Sequence, residues 1–127
     1  MFKPGDKKAY RHSVQKEDWA QFESGTVHEV YATFALGRDA EWTCRLFVLD
    51  MLEEGEEGIG TFLSVEHVSP ALHGSEVVFE ATVESINGNE IICSYVATVE
   101  DRVIARGRQW QKIIKKEKLR RLFASLK

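Results

Sequence analysis

The sequence predicts an α+β fold in which an antiparallel sheet wraps around one long helix. Three observations carry this. Residues 30–52 are the longest stretch with helical periodicity and contain no proline. Four strand-like segments follow without an intervening long helix, which favours antiparallel pairing over a βαβ arrangement. Tight turns at Asn87-Gly88 and Glu100-Asp101 join the last three of those segments. A sheet closing around one helix buries it on several sides, and residues 30–42 are apolar or small over much of the helical circumference.

Composition bounds the rest. A chain of 127 residues suits one domain, 1–127, with a core that needs neither disulfide nor metal. Hydrophobic residues at 43% and charged residues at 29% exclude wholesale disorder. The net charge of −3 argues against a dedicated nucleic-acid binder. Cys44 and Cys93 have no CxxC or paired-ligand spacing and read as reduced core residues. The histidines lack metal-ligand spacing, so no metal is expected. No apolar run approaches the roughly 20 residues of a membrane span, and residues 1–12 lack the apolar centre of a signal peptide. The expectation is a cytoplasmic protein with no membrane or nucleic-acid partner.

In chain order, residues 1–7 are a frayed start punctuated by Pro4-Gly5, and residues 8–14 a weakly patterned first strand. Trp19 and Phe22, three apart, suggest a short helical turn, and residues 25–32 a loop into the long helix. Thr33 is placed to be that helix's N-cap. Residues 53–58 form an acidic, glycine-punctuated turn. Strands are expected over 59–68, 75–86, 91–99 and 103–114. Val77, Phe79, Ala81 and Val83 share one face, as do Ile91, Cys93, Tyr95, Ala97 and Val99. Gly107 marks a bulge or a close backbone contact. Residues 115–127 read as a basic amphipathic helix with Leu119, Leu122, Phe123 and Leu126 on one side.

The long helix carries polar residues where a core helix is normally greasy. Thr33, Gly37, Glu41 and Cys44 share a face at i, i+4, i+8 and i+11. A carboxylate on a packing face demands a partner or a purpose, because an unpaired buried charge is costly. For Glu41 the structural reading is an ion pair with Arg38 or Arg45, and the functional reading is a general base. Alternation puts His67 in phase with Leu63 and Val65, either as a hydrogen-bonded core histidine or as a catalytic one. The basic C-terminus is either a solvated face or a phosphate contact. There is no P-loop, GxGxxG, GxSxG or HExxH.

The residues VYATFALGRDAEW, followed by IGTFLSVEHVSPALHG, resemble the hotdog-fold thioesterases of the fluoroacetyl-CoA thioesterase type. The shared features are Ala32-Thr33 opening the helix, Glu41 eight positions later, Gly60-Thr61 and His67. A small-residue turn, Pro70-Ala71-Leu72-His73-Gly74, completes the pattern, and the likeness covers roughly residues 8–114. It implies a hotdog fold and a homodimer with the acyl-thioester site at the subunit interface. It also implies catalytic roles for Thr33, Glu41 and His67, and substrate contacts from Gly60, Thr61 and Phe34. No cofactor is implied, since the CoA thioester is the substrate. The chain departs from the pattern where the family's last strand carries Gly-Thr-His-x-Arg, for here the run is Gly107-Arg108-Gln109-Trp110-Gln111.

The resulting expectation is hydrolysis of a small acyl-CoA thioester. A backbone N–H near Gly60 would polarise the carbonyl, with Glu41 as general base and His67 as proton shuttle. Whether Thr33 attacks as a nucleophile or positions water is left open. The alternative is a non-catalytic acyl-CoA-binding or regulatory module on the same fold.

Overall fold

The computed structural model describes all of residues 1–127. Its frame is three long antiparallel strands, β6 (Glu76–Asn87), β7 (Glu90–Val99) and β8 (Arg102–Lys115). β1 (Lys7–Ser13) lies outside β6, and β4 (Glu56–Leu63) lies outside β8, giving the order β1-β6-β7-β8-β4. The short β5 (Glu66–His67) continues along the β4 side of β8. All these pairings are antiparallel. The helix α1 (Thr33–Met51) touches β1, β4, β6, β7 and β8, so the sheet curls around it as expected.

Period-2 alternation places Val77, Phe79, Ala81 and Val83 of β6 and Ile91, Cys93, Tyr95 and Ala97 of β7 in the core. From α1, Ala35, Leu36, Ala40, Cys44, Phe47 and Val48 meet them. A hydrogen bond with Cys93, and after it burial, lifts the Cys44 thiol well above its usual range, and both cysteines are free. In β8 two of the core-facing positions are not aliphatic but Gln109 and Gln111, each 1% exposed, before Ile113 packs on the core again.

Several expectations change. Trp19–Phe22 is a strand, β2, preceded by a 3-10 turn at Lys16–Asp18, and it pairs with β3 (Gly25–Tyr31) rather than leading into a loop. Only Trp19 and Ala20 of β2 pack on the core, so the hairpin's periodicity is too weak to show in sequence. The expected strand over 59–68 starts earlier, at Glu56, and breaks at Ser64 and Val65. There Tyr95 donates its hydroxyl to Ser64 O at 2.7 Å, and a Cβ on Gly107 would stand 2.0 Å from the same oxygen. Gly107 is therefore a close backbone contact, the crossing point where β8 must lack a side chain. The hairpin loop after β6 is Gly88-Asn89, one residue later than expected, since Asn87 pairs with Glu90. The C-terminal helix, α2 (Lys116–Ser125), is present and buries none of its residues.

Candidate active site

Thr33 does not cap α1. Ala32 holds the N-cap position and no side chain bonds there. The chain is steered into the helix by backbone bonds instead: Tyr31 N–H to Ala71 O and Ala32 N–H to Asp18 O, at 2.9 and 2.8 Å. This frees the Thr33 hydroxyl, whose Oγ1 lies 3.0 Å from His67 Nδ1. His67 comes from β5, held on β8 by its pairing with Ala105. Burial lowers the affinity of its ring for a proton below the usual histidine value, against a weaker opposing contact from the Ser69 backbone. The Nε2 atom is buried and has no protein partner.

Beside Thr33 opens an apolar cavity of about 640 Å³, walled by Phe22, Phe34, Leu63 and Val65 and floored by Gly37. Phe22 of β2 and Phe34 of α1 meet edge to face across it, with ring centroids 5.9 Å apart. Thus Thr33, Phe34 and His67 are brought together.

Glu41 sits elsewhere. Eight residues along α1 separate it from Thr33, about 12 Å of helix axis. The expected ion pairs do not form: Arg38 binds Asp18 and Asp39, and Arg45 lies against Glu57. The Glu41 carboxylate lies on β4 instead, where a Cβ on Gly60 would stand 2.8 Å from its Oε2. Gly60 is needed here for room, a reason separate from any substrate contact. Thr61 occupies a bulge in β4 between Gly60 and Phe62, and its hydroxyl donates to Trp110 O at 3.3 Å. The chain therefore carries two groups of candidate residues: Thr33 and Phe34 at the cavity with His67 bonded to Thr33, and Glu41, Gly60 and Thr61 at the free edge of the sheet.

A model of the fluoroacetyl-CoA-specific thioesterase family matches residues 14–117. The chain belongs to this family. A Thermus thermophilus hypothetical protein, a thioesterase superfamily member, is 35% identical over 98% of this chain and 92% of its own, with a TM-score of 0.92. A point variant of the fluoroacetyl-CoA-specific thioesterase FlK, in complex with fluoroacetate and CoA, is 22% identical over 93% of this chain and 99% of its own, with a TM-score of 0.85. A hot-dog-like protein from Thermanaerovibrio acidaminovorans is 21% identical over 98% and 92%, with a TM-score of 0.89. Curated protein sequences give no match. This hotdog thioesterase fold is the one anticipated from the helix and strand order.

One polar cluster in this thioesterase escapes a reading of the sequence. His12 Nε2 lies 2.7 Å from Asp18 Oδ2 and 3.5 Å from Asp39 Oδ2. Arg38 reaches both carboxylates, at 2.8 and 2.9 Å, and the Tyr31 hydroxyl donates to Asp39. His12, Asp18 and Asp39 converge closely enough to suit a cation, but the Arg38 guanidinium already lies against both acids and supplies the positive charge. Burial pushes the Asp18 carboxyl up, yet bonds from Arg38, the Gln15 N–H and His12 outweigh it and hold the group below its usual range. Burial and the Asp39 carboxylate drive the Tyr31 phenol well above its usual range. Arg38 and Asp39 are thus structural, tying α1 to β1 and to both ends of the β2–β3 hairpin. Their partners lie 20 or more positions away or in weakly patterned segments, which hides the cluster from periodicity.

No helix is long and apolar enough to cross a membrane.

Proposed function

We propose that this thioesterase hydrolyses a small acyl-CoA with an apolar acyl group, as a homodimer in which each site draws on both protomers. The observation that carries it is the hydrogen bond to His67 from Thr33, a residue that lines a cavity walled by Phe22, Phe34, Leu63 and Val65. A hydroxyl bonded to a histidine held toward its neutral form has a base at hand, so Thr33 either attacks the thioester carbonyl or holds the attacking water. The cavity walls receive the acyl chain and give no charged group to a polar acyl tail.

Glu41 serves as the second base, contributed by the partner. Its distance from Thr33 within one protomer supports this, since a base acts within hydrogen-bond reach of the proton it takes. The free edge of β4, with Phe62 and Leu63 exposed, together with the exposed Phe34 and Trp42 of α1, supports pairing of two copies around a twofold axis. Antiparallel α1 helices would then bring Glu41 of one copy toward Thr33 of the other. Gly60, at the edge of the β4 bulge, lies where ladder bonding is interrupted and backbone N–H groups are free to polarise a carbonyl. CoA is the carrier by analogy with the FlK complex, which holds CoA. The two free cysteines, side by side in the core, fit a reducing cytoplasm.

The test is thiol release from a panel of short, branched and aryl acyl-CoAs, with Glu41→Ala as control. Turnover of apolar acyl groups that is lost in Glu41→Ala is the expected result. Thermal stabilisation by acyl-CoA with no thiol release would make the protein a binding module instead.

A further inference from the structure

Where this chain departs from its family's last-strand pattern, the buried Gln109 and Gln111 of β8 face the partly buried Glu41 and Arg45 of α1 across the glycines of β4. Gly58 and Gly60 of β4 leave room under the sheet edge: a Cβ on Gly58 would stand 2.4 Å from Val48 Cγ1, 3.3 Å from Arg45 Nη1 and 3.7 Å from Gln111 Oε1. A Cβ on Gly60 would meet Glu41 Oε2 at 2.8 Å and Gln109 Nε2 at 3.2 Å. Four polar side chains fill that room. Glu41 and Arg45 descend from α1 at i and i+4, and Gln109 and Gln111 rise from β8 at i and i+2.

The donors and acceptors run in one direction. Arg45 donates to Gly58 O at 2.9 Å, and its Nη1 and the Gln111 Oε1, which is buried without a hydrogen-bond partner, both border the space over Gly58. The guanidinium charge favours the orientation in which Gln111 turns its oxygen to Arg45 and its amide away. Gln111 Nε2 then donates to Gln109 Oε1 at 2.8 Å. With its oxygen engaged, Gln109 turns its NH₂ toward Gly60, the residue against which the Glu41 carboxylate also lies. One of its two hydrogens goes to Trp110 O at 3.1 Å; the other is unbonded, and it shares the space over Gly60 with the Glu41 carboxylate without a hydrogen bond between them in this structure.

We propose that Gln111 and Gln109 are positioning residues for Glu41: an amide pair, oriented by Arg45, that keeps a donor beside the carboxylate and fixes its rotamer against Gly60. The pair moves no proton. This rests on the reading of Glu41 as the base, and it explains why two amides persist on an otherwise apolar core face. A purely structural amide pair would be replaceable, since an apolar isostere removes the orphaned Gln111 carbonyl and is neutral or stabilising.

Thiol-release kinetics, thermal melts and side-chain amide NMR on wild type, E41Q, Q109M, Q111M and the Q109M/Q111M double variant test it. Methionine keeps the volume and removes the amide. Expected for Q109M is a fall in kcat of about tenfold to a hundredfold, the scale of a displaced catalytic group, with KM within about twofold. Q111M, which does not reach Glu41, loses kcat to a smaller degree while its Tm holds or rises. The double variant is no worse than Q109M, because Gln111 acts only through Gln109. The Gln109 side-chain amide resonances shift in both E41Q and Q111M. Full kcat in Q109M and Q111M while E41Q is inactive overturns the positioning role and leaves the Glu41 reading intact. Activity retained in E41Q overturns that reading and, with it, the proposal. Losses that multiply in the double variant, or Gln109 resonances unmoved by E41Q and Q111M whatever the activity, overturn the relay itself.

Discussion

Thr33 Oγ1 stands 3.0 Å from His67 Nδ1, and the far nitrogen of the same ring is buried without a partner. Burial keeps the folded ring's proton affinity below that of an exposed histidine, so the native state prefers neutral His67. Above the unfolded value of about 6.5 the ring is neutral in both states and costs nothing. As pH falls below that point the unfolded chain takes up the proton first, and stability is lost until the folded ring also protonates. His67→Gln should therefore flatten the fall in Tm between pH 7.5 and pH 5. Melts of equal steepness against pH in variant and wild type would show that the ring is not held neutral.

Arg38 is the only arginine or lysine facing the Asp18 and Asp39 carboxylates, which are themselves nearly fully buried. Its own side chain is 55% exposed, so water tempers the loss when it is removed. Arg38→Met should cost about 2–4 kcal/mol, at or below the usual range for breaking a buried pair. Asp18, held below the usual carboxylate range, contributes stability above its unfolded value, and that contribution is lost as pH falls through its folded value. Arg38→Met gives up that contribution already at neutral pH, so its stability deficit against wild type should shrink as pH falls through the Asp18 titration. Urea melts at pH 7 and pH 4 read both effects, and an unchanged midpoint would mean that the cluster stabilises nothing.

The helix, the core faces of β6 and β7 and the turn before β8 are legible in the sequence because strict periodicity and turn residues encode them locally. Thr33 and His67 stand out as polar residues in otherwise ordered patterns, and the fold joins them across 34 positions. The β2–β3 hairpin is not legible, because it pairs with itself outside the main sheet and shows no buried alternation beyond Tyr31. The roles of Arg38 and Asp39 are hidden because each is explained only by Asp18 and His12, whose segments carry no pattern. Helical spacing alone pairs Glu41 with Arg38 or Arg45, and β4 supplies a competing surface that spacing cannot reveal.

Two glycine-to-alanine changes should separate function from stability. At Gly60 the new methyl meets the end of a flexible side chain, Glu41, which can swing aside. Gly60→Ala should fold with a stability change of about 1 kcal/mol or less, yet lose about tenfold or more in kcat, because a displaced base is a poor one. At Gly107 the methyl meets the Ser64 backbone at 2.0 Å, where the chain crosses from β4 to β5 and nothing can yield without breaking the Tyr95 bond. Gly107→Ala should destabilise by about 3 kcal/mol or more. Equal Tm losses in the two variants would contradict the distinction between a yielding neighbour and a fixed one.

If the protein is the proposed dimer, the division of the chain into a Thr33–His67 group and a Glu41–Gly60 group has a direct consequence for mixed assemblies. If Glu41 serves the partner's Thr33, then Thr33→Ala and Glu41→Ala proteins are each inactive alone. A dimer holding one of each has one site with both changes and one site with neither. Random exchange makes half the dimers mixed, so activity should return to about a quarter of wild type, one intact site in every four. Refolding the two variants together and counting mixed dimers by native mass spectrometry gives the denominator. Mixed dimers in quantity without recovered activity would place Glu41 and Thr33 in the same protomer's site, and would require α1 or β4 to move so that about 12 Å of helix no longer separates them.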